Sequence, residues 1–262
     1  MTQKIHETAI ISKGTEIGKG VEIGPYSIVG AGVTIKDNVK IGPHVVIEGE
    51  TIIGEGCEIF QFASIGSMSQ DLKDSYGGGK LIIGSGNKFR EFVTVNLGTP
   101  DGGGVTVIGD NCFFMAYTHV AHDCQLGDGV VMANVATLAG HVTVEDFSSI
   151  GGLVAIHQFV RIGKYAFIGG GSMTAMDIAP YMKVTHGTGA RAKVMGPNSI
   201  GLERRGFSEK AISSIKKAHK IIWRSKKLLK EALKEVEGEF GDVEEVKYLT
   251  DFIRSSERGI LR

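Results

Sequence analysis

Four of the eight histidines in this 262-residue chain fall in one stretch: His119, His122, His141 and His157. Asp123 follows His122 directly, and Gly140 lies 18 residues beyond His122 (140 − 122 = 18). An imidazole beside a carboxylate can take a proton from a hydroxyl, because the carboxylate fixes the ring tautomer and leaves the other nitrogen basic. A glycine leaves its amide uncovered, so its N–H can donate to an oxygen that gains charge during acyl transfer. Any one of these histidines could be the ordinary surface of a turn. Four together, one of them next to a carboxylate, point to a site. The competing chemistry is a zinc ion held by His119, His122 and His141, since zinc accepts three imidazoles plus water.

What brings residues 18 apart together is a six-residue beat. Apolar residues recur at every sixth position from Ile11 to Ile65, and again from Ile108 to Ile168. That period is neither the 3.6 of a helix nor the 2 of an open strand. It is the signature of a parallel β-helix of hexapeptide repeats, in which three hexads close one triangular coil. Residues 18 apart then stack, about 4.8 Å from one another. Gly140 comes to lie over His122 and Gln158 over Gly140. His141 lies over Asp123, and His157 continues the column of Ala121 and Ala139.

The beat is interrupted at about 67–80 and about 99–104, both polar and Gly-rich, and both are expected to leave the coil as loops. A long loop in a strict repeat is more often functional than decorative. The expected fold is a left-handed parallel β-helix over 1–190, nine or ten coils and roughly 45 Å tall, with a small α-helical domain over 191–262. Pro180 and Tyr181 mark the exit, and 182–200 reads as irregular. Helical spacing begins after Ser208, a candidate N-cap, with Ala211, Ile212, Ile215, Ala218, Ile221 and Ile222 on one face. A second helix is expected over about 226–237. A third is expected to start at Asp242, with Glu245 in capping-box position. Prisms of this kind bury a flat face by three-fold association, so a homotrimer is expected.

Composition sets the remaining bounds. Lysine plus arginine and aspartate plus glutamate number 29 each, which favours neither nucleic acid nor an anionic membrane surface. Three scattered cysteines, Cys57, Cys112 and Cys124, read as buried thiols in a reducing compartment. With no leader peptide and no apolar run of membrane-spanning length, a cytoplasmic location is expected.

Five segments carry a family resemblance: QDLK (70–73), HVAHDCQLG (119–127), LAGHVTV (138–144), AIHQFVRIG (155–163) and NSIGLERRGF (198–207). Together they resemble the UDP-N-acetylglucosamine 3-O-acyltransferases that begin lipid A synthesis, and the resemblance runs the length of the chain. It implies transfer of a β-hydroxyacyl chain from acyl-carrier protein to the 3-position of a UDP-amino-sugar. No cofactor is implied beyond the carrier's phosphopantetheine thioester. His122 would be the general base, Asp123 its orienting partner and the Gly140 amide the oxyanion donor. Asp71 and Lys73 would reach the sugar and its acyl partner from an adjacent subunit, and His119, His141, His157 and Gln158 would line the cleft. Asn198, Arg204 and Arg205 would hold the uridine diphosphate, since arginine's planar fork matches phosphate. Gly170 falls at the position that limits acyl length. Ile200 departs from the pattern: several members have a glutamate there, which leaves open whether the acceptor is the N-acetyl sugar or a 3-amino analogue. The gamma-class carbonic anhydrases share the prism and bind zinc. Their histidine spacing is not reproduced here and they have no counterpart to the loop and the helical tail, so no metal is expected.

Overall fold

The structure, a computed structural model, describes residues 2–73, 78–187 and 191–262. Each hexad forms a strand of about two residues followed by a turn, and the chain winds as a left-handed parallel β-helix. The hexad sends two side chains inward rather than one. Val33 and Ile35, then Val39 and Ile41, are all at most 4 % exposed. The second inward position lies two residues before the first, so both belong to the same rung of core.

Three parallel sheets form the walls. Among the described residues face I has eleven strands, ten of them parallel, beginning with Lys4–Ile5; face II has nine, beginning with Ile10–Ile11; face III has eight, beginning with Glu16–Ile17. Register follows the 18-residue rule, for example Lys4 with Glu22 and Val120 with Leu138 (22 − 4 and 138 − 120). The two insertions break it. Ile53 pairs Ile83, and Ile83 pairs Ile108, offsets of 30 and 25 residues. The first loop leaves after Ser64–Ser67 and returns at Lys80–Ile83, with 74–77 outside the described residues. The second contains a single 3₁₀ turn, Pro100–Gly102.

The three edges of the prism differ. At the edge between faces III and I, Phe147, Tyr165 and Tyr181 stack, and Phe207 and Tyr248 of the C-terminal part close over them. Tyr181 is 1 % exposed as a result. At the edge between faces I and II, Tyr26, His44, Phe62, Phe92 and Tyr117 stack ring on ring with centroids 4.7–5.2 Å apart. Nothing among the described residues covers this second ladder: Tyr26 is 59 % exposed and Tyr117 56 %.

The exit from the coil differs from the irregular segment expected over 182–200. Met182–His186 adds a tenth parallel rung to face I, and Ala192–Pro197 pairs with it antiparallel. The 190/191 boundary therefore falls within a hairpin whose residues 188–190 lie outside the described set. Four helices follow: α1 (Ser199–Arg204), α2 (Glu209–His219), α3 (Leu229–Phe240) and α4 (Glu244–Arg254), with one π turn at Lys220–Arg224. Ser208 caps α2, its Oγ accepting from the Ala211 N–H at 3.1 Å. The third expected start moves by one residue. Val243 occupies the N-cap of α4 without a side-chain bond, and Asp242, one residue before it, lies 3.3 Å from Lys210 on the surface. Helix α3 runs through Gly238 to Phe240, since its buried face (Ala232, Leu233, Val236) does not include that glycine.

All three cysteines are free and buried, and burial pushes the Cys124 thiol up to about 12, so it stays protonated and inert. Phe89 and Phe114 are among the largest side chains buried in the core, both 0 % exposed and stacked at 4.8 Å. Phe114→Ala should therefore cost roughly 3–5 kcal/mol of stability. Urea unfolding followed by circular dichroism would measure it; a loss under about 1 kcal/mol would mean that the coil collapses onto the gap.

Candidate active site

The edge between faces II and III carries the predicted chemistry. Strand His119–Val120 runs into the turn holding His122 and Asp123. One coil on, Thr137–Leu138 runs into Gly140 and His141; the next coil, after Ala155–Ile156, brings His157 and Gln158. His122 Nδ1 lies 2.8 Å from Asp123 Oδ2. The His122 ring packs directly on Gly140 through its Cε1–Nε2 side: a Cβ added there would come within 2.5 Å of both atoms. The glycine is required by this close approach and not by its backbone angles.

Asp123 is 5 % exposed and well held. Its carboxylate accepts from the Thr99 backbone N–H at 3.0 Å and from the Thr99 hydroxyl at 2.7 Å, and its own N–H donates to Thr106 Oγ1 at 2.8 Å. Burial alone would raise its pKa; the bonds from Thr99 and His122 outweigh that and hold the carboxyl below its ordinary value. It is therefore an anion at neutral pH and an acceptor, which keeps the His122 proton on Nδ1 and the lone pair on Nε2. Thr99 belongs to the second loop, and Gly102 of that loop packs directly on the carboxylate, where a Cβ would meet Oδ2 at 2.1 Å. Sequence reasoning missed Thr99 because the insertion hides its register. A threonine and glycines in an interruption just one coil before the His-Asp pair were the available signal.

The other histidines have separate surroundings. His141 meets His122 edge-on, stacks on Phe159 at 4.4 Å, and holds Nε2 3.9 Å from Asp123 Oδ2. Burial lowers its pKa, and the nearby Asp123 and Asp71 carboxylates only partly oppose this. His119 bonds Thr94 Oγ1 through Nδ1 at 2.7 Å, and burial, aided by His122, lowers its pKa as well. Both rings are accordingly neutral at pH 7. His157 sets Nδ1 3.1 Å from the Gln158 carbonyl and 3.4 Å from the Arg258 guanidinium. The three residues with metal-ligand spacing among those described are His122, Asp123 and His141, not the His119–His122–His141 set. In that trio Asp123 is already committed to Thr99 and His122.

The Gly140 amide donates to no acceptor among the described residues. At the edge between faces III and I the amide at this turn position is often taken by an aspartate of the following coil, as Asp37 takes Lys19 and Asp146 takes Asp128. Here the following coil offers Gln158, which is exposed, so the amide stays available beside the His122 ring.

The remaining predicted residues fall in two places. Asp71 and Lys73 are exposed on the first loop, and the Asp71 charge acts on His141 of its own chain. Asn198, Arg204 and Arg205 instead line a cavity of about 670 Å³ beside face I, with Phe167, Lys183 and Ile200. The Arg205 guanidinium is fixed over the Phe147 ring at 4.5 Å, and Asn198 Nδ2 donates to the Tyr165 carbonyl at 3.1 Å. Gly170 sits in the turn between faces I and II, where a Cβ would press the Gly152 carbonyl at 3.0 Å. One chain thus keeps the His-Asp pair and the arginine cavity on different faces.

A repeated prism bearing a His-Asp pair against a bare glycine defines a hexapeptide-repeat acyltransferase. The hexapeptide transferase family matches residues 4–37 and 106–140, and domain 2 of UDP N-acetylglucosamine O-acyltransferase matches 177–261. The acyl-[acyl-carrier-protein]–UDP-N-acetylglucosamine O-acyltransferase of Thermodesulfovibrio yellowstonii is 51 % identical over 259 residues, 99 % of each chain. Among solved structures, LpxA from Acinetobacter baumannii superposes with a TM-score of 0.94 at 39 % identity, covering 98 % of this chain and 99 % of that one. The UDP-N-acetylglucosamine acyltransferase of Campylobacter jejuni gives 0.91 at 40 %, with the same coverage. The chain belongs to the UDP-N-acetylglucosamine O-acyltransferase family.

Gly140→Ala should lower kcat by about 10²-fold or more while the amide remains, because the methyl must push the His122 ring off its position. Steady-state kinetics together with unchanged circular dichroism would check this. Near-normal kcat would show that the ring is not the group that must sit there.

Proposed function

We propose that the chain transfers a β-hydroxyacyl group from acyl-carrier protein to the 3-position of UDP-N-acetylglucosamine or its 3-amino analogue, opening lipid A synthesis in the cytoplasm. The observation that carries this is the His122–Asp123 pair at 2.8 Å, set against the bare Gly140 and its unspent amide. His122 Nε2 takes the proton as the 3-hydroxyl (or 3-amino) group attacks the thioester carbonyl. The carbonyl oxygen becomes an oxyanion and accepts from the Gly140 N–H. The C–S bond then breaks, and the proton passes from His122 to the departing pantetheine thiolate. Asp123 stays ionised throughout and stabilises the imidazolium. His119, His141, His157 and Gln158 shape the cleft, Asp71 and Lys73 approach it from the loop, and Asn198, Arg204 and Arg205 take the nucleotide. Gly170 leaves room for the acyl tail.

The working unit in this reading is a homotrimer with clefts shared between subunits. The uncovered aromatic ladder lies on the edge where faces I and II meet. An exposed apolar stripe of this length marks an interface. A three-fold axis along that edge turns face II of each copy toward face I of the next. The His122 edge of one subunit then faces the arginine cavity of its neighbour, so two parts held apart within one chain would serve one substrate.

His122→Ala should lose about 10²–10⁴-fold in kcat. Mixed with Arg205→Ala at nucleotide-sugar concentrations well below KM, it should recover activity, because about a quarter of randomly assembled clefts are intact. An absence of recovery in mixed trimers verified by native mass spectrometry would place both residues in one subunit's cleft.

The carrier partner has a matching surface. From Lys216 to Lys230 the chain has seven lysines and arginines and no acid, all seven exposed, although the whole chain is neutral. Such segregated charge suits an acidic protein partner. Reversing Lys216, Lys217 and Lys220 to glutamate should raise KM for acyl-carrier protein about tenfold or more and leave KM for the sugar nucleotide unchanged. Equal rises in both would point to damage to the fold.

A further inference from the structure

The cavity beside face I contains a cation that the sequence motifs do not single out. Lys183 is the outward residue of a strand whose neighbours Met182 and Val184 are both 0 % exposed, so the alternation fixes its direction. It lines the cavity together with Arg204 and Arg205, and no carboxylate lines it.

The surroundings of Lys183 differ from those of the other lysines on the parallel rungs of face I. Lys4 is bridged to Glu22 at 3.1 Å and Lys88 to Glu58 at 3.5 Å, while Lys40 stands in register between Glu22 and Glu58. Each has a glutamate on an adjacent rung. Lys183 has Phe167 on one side and, across the hairpin, Gly196, which offers no side chain. Among the described residues no acid bridges Lys183, Arg204 or Arg205. Ile200, which also lines the cavity, brings no charge to it. Three cations meet in one cavity without a counter-ion, in a chain where exposed lysines on this wall are otherwise matched.

We infer that Lys183 is a third phosphate-binding residue of the nucleotide cavity, its ammonium adding a point charge to the two guanidinium forks on a nucleoside diphosphate. This rests on the reading of that cavity given above. Arginine binds phosphate oxygens through two parallel bonds, and lysine supplies charge without a fixed direction. Lys183 therefore adds affinity for the diphosphate and none for the nucleoside. Its contribution is the same in ground and transition states, so it acts on KM and not on kcat.

The test measures calorimetric affinities of UDP, uridine and inorganic phosphate for the parent, Lys183→Met, Lys183→Arg and Arg205→Ala. Methionine keeps most of the apolar stem and removes the charge. Lys183→Met should weaken UDP about tenfold, leave uridine within about twofold, and raise KM for the sugar nucleotide by the factor seen with UDP, with kcat unchanged. Lys183→Arg should restore most of the loss. The variant should also lose less UDP affinity than the parent between about 50 and about 500 mM salt, since one screened charge is gone. Unchanged UDP affinity in Lys183→Met alongside a loss in Arg205→Ala would remove Lys183 from the site. Equal weakening of uridine and UDP would make its role structural. No loss in either variant would overturn the nucleotide reading of the cavity, and this inference with it. Tight binding of inorganic phosphate that does not compete with UDP would assign Lys183 to a separate anion site.

Discussion

The whole molecule depends on one constraint: each coil hydrogen-bonds to the next in parallel register, so that a side chain's neighbours are set by its position within the coil. Along face II, His119 lies between Thr94 and Thr137. At the turn that follows, the His141 N–H donates to the His122 carbonyl at 3.0 Å, which locks the two turns together. The Asp123 N–H donates to Thr106 Oγ1 of the preceding coil, so the His122 turn is tied on both sides and its backbone is held in register with Gly140. Positioning to a few tenths of an ångström, which catalysis needs, is in this fold a by-product of stacking.

The two insertions are the exceptions to that constraint, and both concern the site. The second carries Thr99 back onto Asp123, a contact between residues 24 apart that an uninterrupted repeat could not make. The first carries Asp71 toward His141. Asn96 anchors the root of that loop, its amide donating to the carbonyls of Ser67 and Met68 at 3.3 and 3.1 Å. The repeat supplies rigid walls, and the departures from it supply the groups that hold or approach the His-Asp pair.

This also explains what could be read from the sequence. The fold, the place of His122 beside Asp123 and under Gly140, and the Ser208 cap all follow from local periodicity or spacing, and all appear in the structure. Thr99 could not be found that way, because an inserted loop carries no register of its own. The hairpin over Met182–His186 and Ala192–Pro197 was missed although Met182 and Val184 alternate with Lys183 and Thr185. The six-residue beat had ended, and a period of two over five residues is a weak signal. The expected Asp242 cap lies one residue short of the observed one at Val243, a shift within the usual uncertainty of helix boundaries. The separation of the His-Asp edge from the arginine cavity was hidden too, because spacing along a coil says which residues stack and not which faces a substrate bridges.

The turn residues carry the last step of the argument. Each turn needs a left-handed backbone, and glycine is the residue that adopts it freely. This chain instead places Tyr26 (φ 58°), Phe62 (φ 63°), Phe92 (φ 60°) and Tyr117 (φ 64°) there along one edge. Each costs on the order of 1–2 kcal/mol relative to glycine. Ring stacking returns about 0.5–1.5 kcal/mol per pair, so within a single chain the exchange is close to even or slightly unfavourable. On the edge between faces III and I the equivalent rings, Tyr165 and Tyr181, also gain burial under Phe207 and Tyr248. On the edge between faces I and II that burial is missing, with Phe62 still 49 % exposed. Strained aromatic turns repeated up one edge are favourable overall only where something covers them. In the proposed trimer the neighbouring subunits do so, and the strain stored along that edge becomes part of what holds each cleft together.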